Sequence, residues 1–232
     1  DVRRSLLRWH ALQLGVKPET ILDLPNGCNV DGLRPAPQSA ARSVLGWPDD
    51  VLVIGYIGAI FQRDALLMAQ AFDRIHQAEP KARLLLTGYC NVAVDELVAA
   101  PSTIWRTGRI RYHEIGRYLA ACDVLWLPLR DSGANRGRSP LKLNDYMSVG
   151  RPVVTTAVGD AADLVIRGEF GLVAADRPED LAQQVLTLLR DPIRREAMGR
   201  RARQMAEHEL AWDHIGEKLE RFYQLILGRA RS

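Results

Sequence analysis

The chain has 232 residues, 47% hydrophobic and 25% charged, a composition that fits a folded globular protein and excludes a disordered or fibrous one. Its formal net charge of +3 is too small and too evenly spread to indicate nucleic acid as a partner. No apolar run approaches the ~20 residues that cross a bilayer.

Residues 1–49 lack the regular pattern of the rest of the chain. Residues 5–14 look helical, and Ile21-Leu22-Asp23-Leu24 suggests a short strand before the turn Pro25-Asn26-Gly27. From residue 51 a strand-then-helix rhythm sets in. Residues 51–57 form a nearly continuous apolar run, as expected for a strand covered on both faces. Asp64 is suited to cap the next helix, in which Met68, Ala71, Phe72 and Ile75 share one face. Residues 83–87 suggest a second strand, 93–99 a short helix and 103–106 a third strand. Residues 113–121 read as a helix, 123–128 as a fourth strand, 140–149 as a helix ended by Gly150, and 151–156 as a fifth strand. A short sixth strand at 170–173 precedes helices near 179–190, 192–208 and 212–227.

Strands alternating with helices imply an α/β, doubly wound, Rossmann-like parallel sheet of six strands, with order 3-2-1-4-5-6. The expected organisation is a lead-in helix and linker at 1–25, one domain at 26–210 and a C-terminal helix at 211–232. Because the sequence opens at Asp1 without Met, a fragment lacking an upstream domain is expected. Trp212, Ile215, Leu219 and Phe222 give the last helix an apolar face that such a domain would cover.

In an open parallel sheet, ligands bind beyond the carboxyl ends of the strands where the order reverses, here between the first and fourth. The loop leaving the first carries Gly58, which lets a ligand approach the backbone, and Arg63 near a helix start. The loop leaving the fourth carries Arg130, Arg136 and Arg138. Lys142 is expected in the first turn of the helix that Pro140 opens, where a cation opposes the helix dipole by roughly 0.3–1 kcal/mol. An anion bound there would relieve the conflict; the alternative is a plain pair with Asp145, one turn further on. The Asp145 carboxylate can also accept from ribose hydroxyls.

Other chemistries find less support. Gly55-Tyr-Ile-Gly58 is not a dinucleotide fingerprint, and no acidic residue ends the second strand. The five histidines are scattered, no metal cluster is visible, and no nucleophile elbow occurs. Cys28, Cys90 and Cys122 lack metal-like spacing and are expected as reduced thiols. The arginine-rich stretch 192–204 is expected as solvated surface, with contact to an anionic membrane as the alternative.

Taken in order, Pro25-Asn-Gly27, Gly55-Tyr-Ile-Gly58, Gly88, Gly108-Arg-Ile110 and Cys122-Asp-Val-Leu-Trp-Leu-Pro128 resemble the C-terminal domain of family-4 retaining glycosyltransferases of GT-B fold. The most specific part is Ser139-Pro-Leu-Lys-Leu-Asn-Asp-Tyr-Met147 followed by Gly150-Arg-Pro-Val-Val154. Gly168 to Val173 and Asp176-Arg-Pro-Glu179 resemble the closing segment, and the likeness spans about residues 20–190. The resemblance implies a diphosphate set of Gly58, Arg63, Arg138, Leu141 and Lys142, with Asp145 on the ribose and Arg109 and Ile110 at the base. Two departures stand out. Gly137 occupies the place of the first glutamate of the family's pair, and Ala59 that of its usual arginine; Arg136 or Arg138 is the candidate substitute.

The implied activity is hexosyl transfer from a nucleoside-diphosphate sugar to an acceptor hydroxyl with retention, as in polysaccharide biosynthesis. No cofactor or metal is expected. The partners are the nucleotide-sugar donor, an acceptor of unspecified class and the N-terminal acceptor domain, where the catalytic residues would lie. This piece alone should bind donor and turn over little. A cytoplasmic location is expected, with peripheral attachment at the inner membrane face left open. The alternatives are a nucleotide-sugar epimerase on the same architecture and a non-catalytic nucleotide-binding module.

Overall fold

A computed structural model of the chain describes residues 6–229, with side chains from 8 to 228. Parts of the expected lead-in (1–5) and of the last helix (230–232) lie outside the described residues. Helix α1 (Leu6–Gln13) is followed by a 3-10 turn at Pro18–Thr20. The strand expected at 21–24 does not form. Arg8 serves this segment instead, donating to the carbonyl of Ile21 and to Asp23, and only Cys28 makes a strand-like bridge, to Ala211. A short apolar run does not become a strand without a ladder partner.

Helix α2 (Gln38–Leu45) was not legible in the sequence; it brings Arg42 to Asp123, 2.7 Å away. The strands are β1 (Leu52–Ile57), β2 (Ala82–Thr87), β3 (Ile104–Gly108), β4 (Val124–Leu127), β5 (Val153–Thr156) and β6 (Gly171–Ala174). They form one parallel sheet in the order β3-β2-β1-β4-β5-β6, as the strand-helix rhythm required.

Between strands run α3 (Gln62–Ala78), α4 (Ile115–Ala120), α5 (Gly133–Arg136), α6 (Leu141–Ser148) and α7 (Gly159–Gly168). Helices α8 (Pro178–Leu189), α9 (Pro192–His208) and α10 (Trp212–Arg229) close the chain. The expected helix at 93–99 is only a 3-10 turn, Val94–Leu97, and 113–121 splits into a 3-10 turn, Tyr112–Glu114, and α4.

Residue alternation builds the two layers. Ile54, Tyr56, Val124 and Trp126 face α3 and α8, with Met68, Phe72, Ile75, Val185 and Leu188 packed on them. Val53, Ile57, Leu125 and Leu127 face the other way, toward α4, α6 and α9, meeting Leu119, Leu143, Met147 and Ala202. Burying these chains on both faces of the sheet contributes roughly 1.5–3 kcal/mol per large apolar residue. The final strand lies so close to its neighbour that a Cβ on Gly171 would stand 2.0 Å from the Val153 carbonyl oxygen. Among the described residues, no helix is long and apolar enough to cross a membrane.

Candidate functional site

Strand β1 lies between β2 and β4, so the chain leaves it for β2 on one side and returns to β4 on the other. The crevice between the carboxyl ends of β1 and β4 is where the topology leaves room for a ligand. At its floor Gly58 ends β1 with φ +76°, and a Cβ there would meet no atom within 4 Å. That left-handed turn exposes the backbone leading to α3.

Two helices open into the crevice without a side-chain cap: α3 after Phe61 and α6 after Pro140. Their first N–H groups have no partner within the helix, and both carry the positive end of the helix dipole. Asp64, expected as the cap of α3, is instead the third residue of its first turn and is buried. Its carboxylate accepts from the Arg130 amide at 2.8 Å and from Asn135 Nδ2 at 2.9 Å, with Arg138 3.7 Å away. Burial holds its proton affinity above the usual carboxylate range. Asp64 therefore ties the loop after β4 to the start of α3.

Lys142 links the two helix starts. Its Nζ donates to the Ala59 carbonyl at 2.9 Å and to the Tyr56 hydroxyl, and stands 3.9 Å from the centre of the Tyr56 ring. The expected alternative, a pair with Asp145, does not form. Burial, then the nearby Arg138 charge, pushes the Lys142 ammonium down to about 7. Arg138 donates to Asn135 Oδ1 at 2.8 Å and stacks its guanidinium 4.6 Å above the Phe61 ring. Arg136 points elsewhere, into an exposed pair with Asp131. Arg130 is held by Asp176 at 3.1 Å. Arg63 is exposed at the second position of α3. Leu141 is the exposed first residue of α6. Ala59 lends its carbonyl to Lys142, and Gly137 follows α5 with φ −91°, a backbone that other residues also adopt.

Asp145 lies one turn beyond Lys142. Its Oδ1 accepts from the Tyr112 hydroxyl at 2.8 Å. Burial raises the Asp145 carboxyl to about 6, against the opposing effect of the Tyr112 bond. Arg109 is exposed after β3, with its guanidinium 4.6 Å above the Tyr89 ring; the two border a cavity of about 120 Å³ with Gly88, Cys90 and Gly108. Ile110 turns inward and packs against the core. A larger cavity, about 460 Å³, sits at the amino ends of β4 and β5 beside Asp123 and Pro152, away from these residues.

The structure thus brings together Gly58, Arg63, Arg138, Leu141 and Lys142 around two helix starts, sets Asp145 one turn along, and places Arg109 and Ile110 at the neighbouring strand end. Sequence reasoning missed Tyr56, Phe61, Asn135 and Tyr112. Tyr56, Phe61 and Tyr112 join the site through partners 33 to 86 residues away. Among the described residues, no group of three or more His, Cys, Asp or Glu is arranged to hold a metal ion.

The family profile described as "Glycosyl transferases group 1" matches residues 51–191. A curated relative, the GDP-mannose-dependent monoacylated alpha-(1-6)-phosphatidylinositol monomannoside mannosyltransferase of Corynebacterium glutamicum, is 29% identical over 96% of this chain and 61% of its own length. The Anabaena protein Alr3699/HepE, solved in complex with UDP-glucose, superposes with a TM-score of 0.73 at 20% identity, covering 97% of this chain and 63% of that one. The C-terminal domain of the glycosyl transferase group 1 family protein LpcC from Francisella tularensis gives a TM-score of 0.65 at 14% identity, covering 80% of this chain and 99% of that one. The chain spans less than two thirds of the length of the corynebacterial relative.

Proposed function

The chain belongs to the group 1 glycosyl transferases, and on that premise we propose that it is the donor half of a glycosyltransferase, holding a nucleoside-diphosphate sugar at the crevice between β1 and β4. The reaction is transfer of the sugar to an acceptor hydroxyl with retained configuration. The observation that carries this reading is the convergence of Lys142, Arg138 and two uncapped helix starts on one point of the sheet. Uncapped N–H groups and desolvated cations favour an anion, and a diphosphate fits their shared mouth.

The chemistry follows from the leaving group. As the glycosidic bond breaks, charge grows on the β-phosphate oxygens, and preorganised cations lower that barrier. In this reading Lys142 and Arg138 meet the diphosphate, with Arg63 at the rim and the amides of Leu141 and Lys142 facing it. Asp145 accepts from the ribose, and the Gly108–Ile110 segment meets the base. Arg138 takes the charge role of the arginine that Ala59 replaces, because its guanidinium is fixed over Phe61 beside the same loop. The acceptor and the reacting face belong to a further domain, so this chain alone binds donor and turns over little. The name of the corynebacterial relative supplies GDP-mannose as one donor to try, and the Anabaena complex supplies UDP-glucose.

A thermal-shift titration with GDP, UDP, ADP and their sugars tests the site and identifies the base together. Ligand at about 100 times its dissociation constant adds about 2.7 kcal/mol of stability. A shift with one nucleoside diphosphate that Lys142→Met removes supports the reading; no shift with any of them overturns it.

A further inference from the structure

The Tyr112 hydroxyl reaches across from the loop after β3 to the first turns of α6, donating to Asp145 Oδ1 at 2.8 Å. The second carboxylate oxygen, Oδ2, accepts from no donor among the described residues. Tyr112 is itself half exposed, at 49%, so core packing does not explain its placement. The same loop, four residues earlier, leaves β3 at Gly108 and carries Arg109 and Ile110. One hydrogen bond therefore fixes the distance between the segment beside Arg109 and the carboxylate on α6.

We propose that Tyr112 is a positioning residue for nucleoside recognition: by holding Oδ1 of Asp145 it aims Oδ2 at a ribose hydroxyl, and it locks the loop after β3 in register with that carboxylate. This rests on reading the site as one for a nucleoside diphosphate. The physical basis is that a carboxylate has two oxygens and a free torsion about its last bond. A donor on one oxygen selects the orientation of the other and sharpens its preference for a second donor. The bond also keeps Asp145 ionised against its burial. The other titratable groups that face Asp145 are Cys28 from the lead-in segment and Tyr146 from α6, with the Asn29 amide beside Tyr112; burial raises both Cys28 and Tyr146, so they are uncharged near neutral pH. Asp145 is thus the group in this cluster that changes charge near pH 6.

The test compares the best-binding ribonucleoside diphosphate with its 2′-deoxy and 3′-deoxy analogues by titration calorimetry, on the wild-type chain and Tyr112→Phe. The wild type should favour the ribo form over one analogue by about tenfold, the worth of one charge-assisted hydrogen bond. Tyr112→Phe should shrink that preference to about threefold or less. Affinity for the disfavoured analogue should fall less than that for the ribo form, and the acid limb of ribonucleotide binding should move to higher pH. The exposed position and the shared ring make loss of folding unexpected, and the thermal midpoint checks it. A retained preference, equal weakening of all ligands, or tighter ribonucleotide binding each overturns the proposal while leaving the diphosphate site standing. A wild type that binds no nucleoside diphosphate overturns both.

Discussion

Lys142 donates to the carbonyl of Ala59, 2.9 Å away and 83 residues earlier in the chain. That bond fastens the first turn of α6 to the loop leaving β1, with the Tyr56 ring beneath the ammonium. A neutral carbonyl and a phenol are the partners, and among the described residues no carboxylate lies within ion-pair distance. The charge is therefore poorly compensated until an anion arrives.

This arrangement should make nucleoside-diphosphate binding depend on pH. Burial lowers Lys142 to about 7, so above that pH the free protein holds it largely neutral. A diphosphate at this position would stabilise the charged form, so binding should take up a proton and affinity should fall as pH rises above about 7. The unliganded chain behaves oppositely: its folded state binds the proton less readily than the unfolded state, so stability rises with pH from about 7 toward 10. Titration calorimetry in two buffers of different ionisation enthalpy measures the uptake. Lys142→Met should weaken nucleoside diphosphate by about 1.5–3 kcal/mol and flatten the pH dependence.

Arg138 and Arg136 are separated by two positions and by their surroundings. Arg138 is stacked on Phe61 and tethered to Asn135 at the crevice, whereas Arg136 spends its guanidinium on Asp131 at the surface. Arg138→Met should reduce nucleoside-diphosphate affinity by about tenfold, with Arg136→Met changing it by less than about twofold. The same thermal-shift titration distinguishes them. Equal effects from both variants would place the diphosphate elsewhere along the loop.

The legibility of this chain divides along sequence distance. Most of the strands were visible as short apolar runs bounded by Gly, Pro or Asp, and strand order followed from right-handed crossovers. Helices α2, α5 and α7 escaped: Gln38-Ser-Ala-Ala-Arg-Ser-Val-Leu45 is short, starts without a side-chain cap and carries only two large apolar residues, α5 is a single turn, and α7 starts at Gly159, a residue that ordinarily argues for a turn. Lys142 was legible because a lysine in a first turn opposes the helix dipole. Tyr112 was not, because nothing local marks a tyrosine whose partner, Asp145, lies 33 residues on. Asp64 was seen but given the wrong role; its spacing suits a cap, and only the loop after β4 shows what it holds.

Asp123 carries a different kind of consequence. Only 4% exposed, it accepts from Arg42 at 2.7 Å and from the Val53 amide at 2.7 Å, with Arg195 at 3.3 Å. Removing the carboxylate leaves two guanidinium groups facing each other without an anion. Asp123→Ala should destabilise by about 3–5 kcal/mol, lowering Tm by roughly 6–20 °C in a chain of this length. Urea denaturation gives the free energy directly. Asp123 sits at the amino end of β4, so the fraction that remains folded should bind nucleoside diphosphate as the wild type does.

Asp145 should trade stability for recognition. Its folded carboxyl titrates at about 6, against an ordinary value of 3.8. The folded state therefore binds a proton more tightly than the unfolded state between about pH 4 and 6, and stability falls as pH rises through that window, levelling off above it. Asn in its place keeps an oxygen for the Tyr112 hydroxyl but carries no charge to desolvate. Asp145→Asn should thus be more stable than the wild type at pH 7.5, by about 1–2 kcal/mol, with Tm raised by roughly 2–8 °C. Below pH 4 the two should converge. Ribonucleoside-diphosphate binding should weaken in the same variant, because a neutral amide is a poorer acceptor for a diol than a carboxylate. Thermal melts from pH 4 to 8, paired with titration calorimetry, measure both effects. A variant that loses stability at neutral pH, or keeps full affinity for the ribonucleotide, would show that the carboxylate is held there by packing rather than by recognition.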